Sequence, residues 1–172
     1  MQTQAQENTV DAPPQAAHSI HLVSAELGEL GGPAYNYLVF RDHTGEDKAV
    51  MKGLAIDRNN SDVRALRGVM APPVEGGLPD QHFTESVQVE IFRGDVKGYL
   101  SKMAMAVEAL EFINDQNLNY YPEDTNSDSP NSIAHTLIKA MGLEFPEEAT
   151  HFWAPGHDNI ILPQNWRSKY GQ

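Results

Sequence analysis

The chain has 172 residues, with 12 Lys and Arg against 24 Asp and Glu, for a formal net charge of −12. That field repels phosphate backbones, so neither nucleic acid nor an anionic membrane is an expected partner, whereas a basic protein surface is a compatible one. It has no cysteine, which excludes disulfides, thiolate nucleophiles and Cys-based zinc sites.

The length suits one domain, and 40% hydrophobic residues can fill its core without a staple. Met1 to Ala17 is rich in Gln, Ala and Pro, holds no Lys or Arg and has no apolar run. It reads as a disordered tail before a single domain over 18–172, and not as a secretory or transit signal. The expected location is the cytoplasm, or outside it by a route that needs no signal peptide. No stretch approaches the roughly 18 apolar residues that a membrane span requires.

From Ile20 to Leu27 the residues suit a strand, and Gly31-Gly32-Pro33 marks a turn. Tyr35 to Ile56 reads as a β-hairpin around Asp42-His43-Thr44-Gly45, with glycine at the left-handed position. Ser61 to Met70 suits a short helix or a strand, and Ala71 to Asp80 is loop. Glu85 to Phe92 sets Val87, Val89 and Ile91 on one face of a strand. Asp95 is placed to cap a helix whose apolar residues Val96, Leu100, Met103, Val107, Leu110 and Ile113 recur every three or four positions; its methionines Met103 and Met105 read as packing residues. Asn114 to Ser129 is polar loop. A second helix begins at Pro130 behind a Ser129 cap and ends at Gly142, with Ile133, Leu137 and Met141 on one face. Ile160 to Leu162 is a candidate short strand. Together these elements predict an α+β fold, an antiparallel sheet packed on two main helices.

Chemistry concentrates at the start of the second helix. Ser132 lies in its first turn, where free backbone N–H groups and the positive end of the dipole stabilise an anion, so a nucleophile or oxyanion site is well placed there. Ser, Asn and Pro are also the ordinary capping residues of a helix start, and that reading stands beside the first. His151, His157 and Asp158 offer metal-binding atoms, but their spacing matches no helix face and loop histidines are the simpler reading. Asp124, Asn126 and Asp128 imitate the opening of a calcium loop, yet its sixth position is Ser129 and its twelfth His135, where such loops carry Gly and Glu. Gly31-Gly32 and Gly76-Gly77 lack a phosphate-binding context. No metal or cofactor is expected.

Tyr120-Tyr121, the run Asn131 to Leu143, Pro155-Gly156 and Asn159, with the hairpin Tyr37 to Asp42, Gly45 and Gly53, resemble circularly permuted papain-like hydrolases of the NlpC type. The resemblance covers Tyr35 to Pro163. It implies a bacterial amidase- or peptidase-like enzyme acting on a protein or peptide-like substrate through an amide or ester bond. Asn131-Ser132 would occupy the position of the Asn-nucleophile pair. Ser132 stands where that family usually has a thiol, and a serine needs an adjacent base. The stretch matching the family's histidine strand reads Tyr35-Asn36-Tyr37, which leaves His21 as the candidate base. The alternative is a non-catalytic protein-binding or effector module on the same fold.

Overall fold

A computed structural model of the chain describes residues 17–28, 33–58, 62–73 and 83–171. The expected tail, except Ala17, and the glycines 31, 32, 76 and 77 lie outside these residues, as does most of the 71–80 loop. Strands β1 (His18–Leu27), β2 (Ala34–Arg41), β3 (Asp47–Asp57) and β4 (Arg64–Ala71) run as an antiparallel meander. Strand β5 (Phe83–Gly94) returns to pair with β1 at the opposite edge. After helix α1 (Val96–Asp115), the two-residue strand β6 (Asn119–Tyr120) pairs with β4, and helix α2 (Pro130–Ala140) and a 3-10 helix (Glu147–His151) follow. The six strands lie in the order β5-β1-β2-β3-β4-β6, so the fold is α+β as the sequence predicts.

Alternation explains the sheet. Ile20 and Leu22 of β1, Leu38 and Phe40 of β2, Met51 of β3 and Leu66 of β4 bury one face against Ala106, Ala109, Leu110 and Ile113 of α1 and Ile133, Leu137 and Ile138 of α2. Residues between them, His21 among them, point to the other face. Gly53 sets how closely α2 sits on the sheet: a β-carbon there would lie 2.5 Å from the Pro130 Cα. Asn114, near the end of α1, serves β4 as a missing strand would. Its amide oxygen accepts from the Gly68 N–H at 2.8 Å and its nitrogen donates to the Gly68 carbonyl at 2.9 Å.

The hairpin forms as expected, with Gly45 at φ 85° and the Asp42 carboxylate accepting from the Thr44 and Glu46 N–H groups. Asp95 caps α1 through Gly98, and Gly142 closes α2 at φ 68°. The Ser61 to Met70 stretch, left open between helix and strand, holds β4 from Arg64 onward. Two expectations need correction. The 114–129 loop contains β6, because the β4 edge recruits Asn119 and Tyr120 as partners for Ala65 and Arg64. Ile160 to Leu162 is not a strand: the Ile161 N–H donates to the Thr136 hydroxyl of α2 at 3.1 Å, and Ile161 and Leu162 pack on the core.

Candidate functional site

The first turn of α2 gathers the residues that the sequence singles out. Ser129 is the N-cap, its hydroxyl accepting from the Asn131 N–H at 3.1 Å and donating to the Pro155 carbonyl at 2.7 Å. Ser132 completes a capping box: its Oγ accepts from the Ser129 N–H at 2.9 Å and donates to the Gly156 carbonyl at 2.7 Å. Asn131 reaches the other way, its Oδ1 accepting from the Asn36 N–H at 2.9 Å and its Nδ2 donating to the carbonyls of Ala34 at 3.0 Å and Pro155 at 3.2 Å. Gly156 makes the close approach possible, with φ 69° and a hypothetical β-carbon only 2.7 Å from the Ser127 carbonyl and the Ser129 hydroxyl. The paired motifs Asn131-Ser132 and Pro155-Gly156 are therefore the two sides of one hydrogen-bonded clamp, which ties α2 to β2 and to the 155–156 loop.

This geometry constrains chemistry at Ser132. The residue is 0% exposed. Its proton is directed at a peptide carbonyl, which is not a base, and its lone pair is taken by a backbone donor. Asn131 and Ser132 are brought together, but His21 is not brought to them. It sits on β1 on the face turned away from the helices, beside the Ser19 hydroxyl at 2.9 Å and the Glu90 carboxylate at 3.9 Å. Burial, and then the nearby Arg41 guanidinium, hold its imidazole below its ordinary pKa. The residue that does lie beside the helix start is Asn36, fully buried, whose side-chain oxygen and nitrogen both lack a partner among the described residues. An amide supplies no basic nitrogen.

The histidines of the C-terminal segment have local roles. His135 Nδ1 hydrogen-bonds the His157 carbonyl, so Nδ1 carries the proton and Nε2 is left as a buried acceptor without a partner among the described residues. Desolvation lowers its pKa. His157 pairs with Asp158 at 2.9 Å, while the His151 side chain lies outside the described residues. Asp124 accepts from the Asn126 N–H within its own turn. Among the described residues no group of three His, Asp or Glu side chains is placed to hold a metal ion, and no helix is long and apolar enough to cross a membrane.

A second feature escapes sequence reading. The expected apolar face of α1 divides in two. Tyr99, Ala106, Ala109, Leu110 and Ile113 are buried, but Val96 and Leu100 are 53% and 54% exposed. With the half-buried Met103 and Val107 they form a second stripe, rotated by about a quarter turn from the first at 100° per residue. Glu108 anchors the C-terminal segment beside this stripe, accepting from the Ser168 hydroxyl and from the Lys169 N–H at 3.0 Å. The result is a groove of about 290 Å³ between α1 and Tyr170. The signal was present as too many apolar positions for one helix face. Compared with known protein families, curated proteins and solved structures, the chain matches none.

Proposed function

We propose that this protein is a non-catalytic binding module that engages a basic protein partner through the outer face of α1. One observation carries the reading: Val96 and Leu100 are more than half exposed, and Leu100 with the half-buried Met103 and Val107 lines an open groove beside Tyr170. Exposed apolar patches of this kind mark interaction sites more often than isolated surface leucines do. The net charge of −12 favours encounter with a positively charged surface.

The finer fold assignment, a permuted papain-like arrangement, is part of the proposal. It is supported by the packing of α2 across the sheet and by the bonding of its Asn131-Ser132 start to Pro155-Gly156. Within that arrangement the site is a degenerate copy, with the serine hydroxyl committed to a carbonyl and asparagine beside the helix start. A hydrolase would need the α2 start to reopen and a base to arrive.

The test uses the immobilised full chain, its Leu100→Asp variant and its Ser132→Ala variant to capture proteins from a cell lysate at low and high salt. Capture by the wild type and by Ser132→Ala, weakened by salt and abolished by Leu100→Asp, is the expected result. In parallel, a fluorophosphonate probe leaves Ser132 unlabelled. Labelling at Ser132, with hydrolysis lost in Ser132→Ala, would replace this reading with the catalytic one.

A further inference from the structure

The β2–β3 ladder stops at Tyr37 and Lys52, although β2 begins three residues earlier at Ala34 and β3 runs on to Asp57. The strands part there. The Tyr35 hydroxyl bridges the gap by donating to the Gly53 carbonyl, and Asn131 takes up the freed backbone groups of β2. Between them opens a cavity of about 360 Å³, walled by Leu54, Ala55, Pro130 and Tyr120 and lined by Lys52 and Arg64.

Lys52 is the anomaly. It is 9% exposed, and among the described residues no carboxylate or carbonyl holds its ammonium. Other cations of the sheet have partners: Arg41 pairs with Asp47, Lys48 with Asp42 and Glu46, Arg64 with Asp57 and Arg93 with Glu90, while Arg67 donates to the Asn114 carbonyl and the Asn117 side chain. In a chain with twice as many acidic as basic residues, a mostly buried lysine whose ammonium lines the cavity with no carboxylate beside it leaves a positive charge there that a bound anion would match. Burial alone lowers its pKa, as expected where no carboxylate is near.

We propose that this cavity binds a small organic carboxylate, its charge on the Lys52 ammonium and its short apolar body against Leu54, Ala55 and Pro130. A single ammonium matches a monoanion. Arg64 already pairs with Asp57 at 3.0 Å, so the second free cation that a phosphate dianion favours is lacking among the described lining residues. The aliphatic and proline walls select against a fully hydrated ion. The same chemistry is offered by a free short-chain acid and by the C-terminal carboxylate of a peptide.

The experiment titrates the full chain with butyrate, with a tripeptide Gly-Val-Val bearing a free C-terminus, with the same peptide as its C-terminal amide, and with inorganic phosphate. Calorimetry and the NMR shift of the Lys52 ammonium are the readouts. Butyrate or the free peptide is expected to bind and to move the Lys52 signal, the tighter of the two identifying the source, while the amide and phosphate bind at least tenfold more weakly. Lys52→Met keeps the side-chain stem, and it should lose binding at least tenfold while its melting temperature holds or rises. Leu100→Asp, in the separate α1 groove, should bind butyrate as the wild type does. Failure of both butyrate and the free peptide to bind, a Lys52 signal that does not move, tighter binding of phosphate, or equal affinity in Lys52→Met would each overturn the proposal. The wild-type NMR readout decides the matter even if the variant does not fold.

Discussion

The amino end of α2 and the outer face of α1 invite opposite assignments from the ones their surroundings support. The α2 start is polar, glycine-flanked and reminiscent of a catalytic site, yet each of its side-chain groups is spent on backbone partners: Ser129 on Asn131 and Pro155, Ser132 on Ser129 and Gly156, Asn131 on Ala34, Asn36 and Pro155. The α1 face is apolar and would ordinarily be given to the core, yet Val96 and Leu100 stand in solvent. Polar groups that are all satisfied and buried hold a fold together; apolar groups left uncovered are free to do something else.

Mutation should separate the two regions, and the largest effect belongs to the clamp. Asn131→Ala leaves the Asn36 N–H and the Ala34 carbonyl without partners in the interior and should cost about 3 to 4 kcal/mol in urea unfolding, at one to three per orphaned group. Gly53→Ala drives a β-carbon into the Pro130 backbone and should cost about 2 to 3 kcal/mol by the same measurement. Ser132→Ala removes half of a capping box and should cost about 1 to 2 kcal/mol. A variant that keeps full stability at Ser132 would mean that its hydroxyl is not structural, and would reopen the contrast between the regions.

Acid should act next. Burial holds the imidazoles of both His21 and His135 below the ordinary value of 6.5. The folded state therefore resists protons that the unfolded chain accepts, so this share of stability is complete above pH 6.5 and is lost as pH falls from there through the folded-state values. Melting temperature should decline between pH 7.5 and pH 5.5, and NMR titration should show the His135 ring protonating below the unfolded value. A melting temperature that climbs on acidification would refute the burial argument. The smallest stability effect belongs to Leu100→Asp, expected within about 0.5 kcal/mol of wild type because the side chain is already in water.

Much of this fold could be read from residue order, and the reason is local. Strand alternation, the Asp42–Gly45 turn, the Asp95 and Ser129 caps and the Gly142 stop each depend on a few adjacent residues, and all appear where expected. What depended on distant partners was not legible. Nothing near Asn119-Tyr120 says that the β4 edge needs a mate, and nothing near Ile161 says that its N–H will meet Thr136 rather than a strand. The α1 periodicity predicts a helix but not which of two adjacent stripes the sheet will cover. At the α2 start, both open readings used the same residues, and only the carbonyls of Pro155 and Gly156, more than twenty positions away, distinguish a capping hydroxyl from an available one. Lys52 was unremarked for the same reason: its isolation is a property of the parted strands around it.

The claim that function resides on α1 and architecture at α2 is tested most directly by photo-crosslinking. A benzophenone amino acid placed at Leu100 and, separately, at the exposed Glu123 of the α2-side loop reports which face a partner touches in lysate. The account predicts a discrete crosslinked protein from position 100 that persists in a Ser132→Ala background, and none from position 123. Crosslinking from position 123 alone, or from position 100 only while Ser132 is intact, would contradict it.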